Sequence, residues 1–130
     1  MWSRTVSYVI FAVEDNPIAG EIVQTALESR GHSVALVSTG RNAIEWLSNN
    51  QCHLILLDLM LPDADGGQLV EVLRRLPNGA GIPILAFSAF ASKLADLRRS
   101  GAPFDGYISK PVEPEDLIRI VEQHLHPAAV

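Results

Sequence analysis

Glu14 and Asp15, Asp58, Ser88 and Lys110 are the side chains of this 130-residue sequence whose types can do chemistry together, and they stand directly after short apolar or strand-like runs. Three carboxylates gathered in one place repel. Two unit charges about 5 Å apart, at an effective dielectric of about 20, cost about 3 kcal/mol. A fold keeps such a cluster when something binds it. Oxygen donors suit a hard divalent cation such as Mg²⁺, which retains several of its waters. Ser88 adds a hydroxyl and Lys110 an ammonium. The set then offers one contact for each of three phosphoryl oxygens: metal, ammonium and hydroxyl. Phosphoryl transfer asks for this arrangement, because positioning and charge neutralisation supply most of its catalysis. A carboxylate nucleophile at Asp58 would carry an aspartyl phosphate.

The elements that must position these groups follow from hydropathy. Apolar runs occupy 8–13, 34–37, 54–57 and 82–87, with a weaker one at 106–109. They are short, rich in β-branched residues and apolar throughout, as strands covered on both faces are. Amphipathic segments lie between them. Asn16 before Pro17 marks a helix start. Ile18, Ile22 and Ala26, with Val23 and Leu27, form its apolar stripe, and Gly31 stops it. Ala43, Ile44 and Leu47 mark a second helix. Leu69, Leu73 and Leu76 mark a third, ended by Pro77-Asn78-Gly79. Leu94 and Leu97 mark a fourth, ended by Gly101, and Leu117, Val121 and Leu125 a fifth. Alternation of this kind predicts an α/β fold, a doubly wound parallel sheet with helices on both faces. In such a sheet the ligand site lies beyond the carboxyl ends of the strands, where these polar residues fall. The chain, 1–130, reads as one domain with its core at about 7–125 and a frayed tail after His126.

Taken together, these motifs resemble the receiver domain of bacterial response regulators, from about Ser7 to Leu125. Val13-Glu14-Asp15-Asn16 is similar to the acidic pair ending the first strand. Asp58-Leu59-Met60-Leu61-Pro62, with Asp65-Gly66, is similar to the segment around the phosphorylated aspartate. Phe87-Ser88-Ala89 is similar to the Thr/Ser-Ala step, and Tyr107-Ile108-Ser109-Lys110-Pro111 to the aromatic, lysine and proline that follow. The resemblance implies a (βα)5, flavodoxin-like or CheY-like fold with strand order 2-1-3-4-5. It implies Asp58 as phosphoacceptor, and Mg²⁺ held by Glu14, Asp15, Asp58 and the backbone carbonyl of Met60. Ser88 and Lys110 would contact the phosphoryl group, Ser88 and Tyr107 would form the switch, and the Lys110–Pro111 peptide would be cis. The small Ala89 would leave the attacking oxygen accessible. The donor would be a sensor histidine kinase or a histidine phosphotransfer protein, with a downstream protein target that the sequence does not name. The chain would be a self-catalysing phosphoacceptor rather than a conventional enzyme.

Each residue alone has a plainer reading. Asp58 fits a loop acid, Glu14-Asp15 a helix-capping pair, Ser88 a cap for the fourth helix, Lys110 a solvated charge, and Tyr107 core packing. Glu14 stands where the family more often has Asp. Gly101 comes early and suggests a shortened fourth helix, followed by the loop 102–105. The segment 63–67 reads as a mobile loop beside Asp58. Met60 and Phe90 flank the site. His32, His53, His124 and His126 have no metal-ligand partner at useful spacing and read as structural or solvated. Among competing functions, an aspartate-nucleophile phosphatase usually carries a second aspartate where this chain has Met60. A flavin or nucleotide module needs a phosphate loop after the first strand, and Glu14-Asp15 would repel phosphate there. A receiver working without phosphorylation, as an interaction domain, and a receiver taken from a hybrid histidine kinase both stay open.

Composition narrows the classes further. The chain is 48% hydrophobic and 19% charged, with net charge −5, an ordinary globular balance. Its basic residues are scattered, so no direct nucleic-acid binding is expected. No apolar run approaches the roughly 20 residues of a membrane span, and no signal peptide precedes the first strand. The one cysteine, Cys52, permits no internal disulfide and reads as a small apolar filler. These features suit a cytoplasmic protein.

Overall fold

The computed structural model describes residues 7–125; His126 and the tail predicted after it lie outside the described residues. The elements are β1 (Val9–Val13), α1 (Pro17–Glu28), β2 (Ser33–Val37), α2 (Gly40–Asn49), β3 (Leu54–Asp58), α3 (Gly66–Arg75), β4 (Ile84–Ser88), α4 (Ala91–Ser100), β5 (Gly106–Ser109) and α5 (Pro114–His124). The strands form one sheet in the order β2-β1-β3-β4-β5, every neighbouring pair parallel. This is the predicted doubly wound α/β architecture.

Alternation along the strands divides the core. Ile10, Ala12, Leu54, Leu56, Leu85 and Phe87 pack with Val23 and Leu27 of α1 and Leu117 and Val121 of α5. Phe11, Val13, Ile55, Leu57 and Ile84 face the other way, against Ala43 and Leu47 of α2 and Leu69 and Leu73 of α3. Every residue of β3 and β4 is buried, as strands covered on both faces require. Leu59, Ala86 and Leu94 make a smaller cluster at the α4 side, next to Phe104 and Tyr107.

The helix starts explain much of the geometry. Asn16 caps α1, its side-chain oxygen accepting from Ile18 N and Ala19 N, with Pro17 at the first helical position. One sequence expectation is corrected in part. Of the expected α1 stripe, Val23, Ala26 and Leu27 are core and Ile18 and Ile22 are not. Val23, Ala26 and Leu27 are buried with Gly20, whereas Ile18 and Ile22 are 72% and 44% exposed. The face of α1 that carries Gly20 lies against Leu36 of β2, where an added Cβ would stand 2.9 Å from a Leu36 methyl. The segment 63–67 makes two helix caps. Asp63 accepts from the amides of Gly40 and Arg41 at the start of α2, and Asp65 caps α3 through Gly67 N. Gly101, at φ 74°, ends α4 in the left-handed conformation that suits glycine. That helix runs ten residues, as do α2 and α3.

Candidate functional site

Strand register gathers the acids. Val13 lies opposite Leu57 across β1 and β3, so the next residues, Glu14 and Asp58, leave adjacent strand ends at one level. Both share the parity of Ala12 and Leu56, whose side chains face α1 and α5. Lys110 shares the parity of Ile108, on that same side. Carboxylate oxygens of Glu14, Asp15 and Asp58 lie within 4.8 Å of one another. Glu14 and Asp58 are buried, and Asp15 is exposed. The Lys110 ammonium donates to Glu14 Oε1, and to Asp58 Oδ2 at 3.3 Å.

Backbone amides orient the two buried acids. Asn16 N donates to Glu14 Oε2 at 3.0 Å, and Met60 N donates to Asp58 Oδ1 at 2.9 Å. The Met60 side chain is exposed. Ser88 ends β4 on the opposite parity, with Ala86. It is buried, and its Oγ accepts from Phe90 N at 3.0 Å. Phe90, not Ser88, is the N-cap residue of α4, and it makes no side-chain cap. Lys110 N donates to the Ser88 carbonyl at 2.8 Å, which joins the ends of β4 and β5. The Lys110–Pro111 peptide bond is cis.

A sheet of this order with an acidic pocket at its carboxyl edge has known relatives. The family model for the response regulator receiver domain matches residues 10–122. The chain belongs to that receiver family. A 14.6 kDa protein encoded in the sodA1 3′ region of Leptolyngbya boryana is 30% identical, the match covering 88% of each chain. The signal transduction histidine-protein kinase BarA of Escherichia coli is 31% identical over 86% of this chain, which spans only 12% of the kinase. The receiver domain of sensor histidine kinase PA1611 from Pseudomonas aeruginosa, solved with a magnesium ion in its active site cleft, is 31% identical. It superposes with a TM-score of 0.82 over 92% of this chain and 98% of its own. Receiver domains are signalling modules that pair with histidine kinases or phosphotransfer proteins.

Electrostatics mark Asp58 within the receiver. Burial pushes its carboxyl above the usual carboxylate range, and the neighbouring Glu14 adds to the rise; the Met60 amide and the Lys110 ammonium oppose it. Three oxygen-bearing acids with no nitrogen or sulfur donor among them suit a hard divalent cation. Tyr107 lies opposite Ala86 on the α4 side. Its ring packs against Phe104, and the Arg98 guanidinium sits 4.7 Å from the ring centroid.

Sequence reasoning singled out the polar residues of the receiver but gave Phe87 no role. Phe87 pairs with Asp58 across β3 and β4, and the Lys110 ammonium lies 4.7 Å from its ring centroid. The signal was the period-2 parity of β4, which becomes informative only when its register against β3 is known.

Proposed function

We propose that this receiver takes a phosphoryl group from a phosphohistidine donor, carried by a sensor histidine kinase or a histidine phosphotransfer protein, onto Asp58. The observation that carries the reading is a buried carboxylate set between Glu14 and Lys110 at the carboxyl edge of the sheet. A carboxylate oxygen of Asp58 attacks phosphorus. The new P–O bond forms as the P–N bond to the imidazole breaks, and the leaving imidazole keeps the bonding pair and takes a proton from solvent. Lys110 presents its ammonium to the transferred oxygens, and Ser88 its hydroxyl. Glu14, Asp15, Asp58 and the Met60 carbonyl are the groups that would hold Mg²⁺. When bound, the ion neutralises the carboxylates and the phosphoryl oxygens.

The added charge then biases Ser88 and Tyr107, on the α4 side of the sheet, and so the docking of a protein target. In this reading residues 1–130 serve as one receiver unit in the cytoplasm, its partners are proteins rather than nucleic acid, and it acts as a phosphoacceptor rather than a conventional enzyme. Acetyl phosphate or beryllofluoride with Mg²⁺ tests the proposal. The wild-type protein should gain one acid-labile phosphoryl group, or bind beryllofluoride, and Asp58→Asn should do neither. A full response from Asp58→Asn would refute the assignment.

A further inference from the structure

Among the described residues the Lys110 ammonium is held by the carboxylates of Glu14 and Asp58 and by the face of Phe87, at 4.7 Å from the ring centroid. Only the last is free of formal charge. Phe87 is 4% exposed, held in the α1/α5 core, and its neighbour across the sheet is Asp58. Lysine carries its charge on a flexible stem with several rotatable bonds, so the ammonium stays where its partners hold it. The two carboxylates attract it strongly while they are free. Once a divalent cation shares them, that attraction weakens. The quadrupole of an aromatic ring does not change with the charge state of the pocket.

We propose that Phe87 is a positioning residue: its ring face keeps the Lys110 ammonium beside Asp58 when the carboxylates are neutralised, so that the cation meets the incoming phosphoryl oxygen. This role rests on the phosphoacceptor reading of Asp58. The ring also lines a cleft of ≈ 490 Å³ between α1 and α5, together with Lys110, Val23 and Leu117.

The test compares Phe87→Leu, which keeps an apolar side chain and removes the π face, with Phe87→Tyr, which keeps the face. Lys93 and Lys110 are the two lysines of the chain, so protein labelled with ¹³C at lysine Cε gives two signals, and Lys93→Arg assigns them. In metal-free wild type the Lys110 Cε protons should be shifted upfield by the ring. The shift should persist in Phe87→Tyr and vanish in Phe87→Leu. With Mg²⁺ saturating, beryllofluoride affinity should fall about three- to tenfold in Phe87→Leu and hold within about twofold in Phe87→Tyr. If Phe87→Leu does not fold, Phe87→Met takes its place. Unchanged affinity in the folded aliphatic variant overturns the proposal. So does an equal loss in both variants, which would leave only a packing role. A wild-type protein blind to beryllofluoride overturns the phosphoacceptor reading and this role with it. The metal-free upfield shift tells that failure from a missing Phe87–Lys110 contact.

Discussion

Asp58 is ionisable, buried and next to a second buried acid, and Lys110 offsets only part of that charge. A raised carboxyl pKa means the folded state holds its proton more tightly than the unfolded chain does. Stability from this group is fully present below the ordinary aspartate value of about 3.9 and is lost as pH rises through the higher folded value. Asp58→Asn removes the charge and keeps the shape. In metal-free buffer at pH 7 it should raise the melting temperature by about 4 °C, the equivalent of about 1 kcal/mol for a domain of this size. The gain should shrink toward pH 4. A variant less stable than wild type at pH 7 without metal would mean that the pocket carries no net repulsion. Burial acts in the same direction on Cys52. It sits just before β3, away from the acids, and burial pushes its thiol up to about 12. Thiolate is the reactive form, so iodoacetamide at pH 8 should leave the native protein unmodified and label it once after denaturation. Labelling of native protein as fast as a free thiol would contradict the burial.

Single contacts decide how the elements meet, and here the sequence was readable only in part. Apolar runs located the strands, and the residues that follow them located Glu14, Asp15, Asp58, Ser88 and Lys110, because strand ends are local features. What each helix face touches is not local. Ile18 and Ile22 share helical spacing with Val23, Ala26 and Leu27, yet only the last three are core, because the face that carries Gly20 lies against Leu36. Asp63 reads as a loop acid, and its capping of α2 joins residues 23 apart. Gly66 is another contact that sequence leaves open. A Cβ there would stand 2.6 Å from Leu59 Cα and 2.9 Å from the Asp58 carbonyl oxygen. Gly66→Ala should therefore destabilise by at least about 2 kcal/mol, measured by urea unfolding, because backbone must shift. A loss below about 0.5 kcal/mol would show that the turn after β3 has room. On the opposite edge of the sheet Glu122 ties α5 to the α1–β2 turn through Arg30 and His32. Hydrogen bonding to Arg30 holds its carboxyl below the usual range, and His32 contributes, while burial opposes. A depressed acid stabilises above its unfolded pKa of about 4.3, and that stability is lost as pH falls through the folded value. Glu122→Gln should lower the melting temperature by about 1–3 °C at pH 7, the small size reflecting an exposed partner. The two proteins should converge as pH falls through the depressed folded value; a constant difference down to full protonation would assign the effect to packing.

The whole molecule places unfavourable charge where its best-covered strands end. β3 and β4 are buried along their length, so the scaffold can hold Glu14 and Asp58 together without yielding to their repulsion. That arrangement makes stability depend on what occupies the pocket. A ligand bound only by the folded state adds RT ln(1 + [L]/Kd), about 2.7 kcal/mol at a hundred times Kd. This exceeds the gain of about 1 kcal/mol expected from neutralising Asp58, and the two balance at about four to five times Kd. The order of stability should therefore reverse. Asp58→Asn should melt above wild type without divalent cation, and wild type should overtake it as Mg²⁺ is raised, since the variant lacks one of the three clustered carboxylates. A thermal-shift titration at pH 7 and fixed ionic strength reads the crossing, with choline chloride separating site binding from general screening. Equal upward shifts for both proteins would mean that Mg²⁺ acts elsewhere. No shift in either would mean that the three acids hold no metal, and the pocket would then need another reason for its charge.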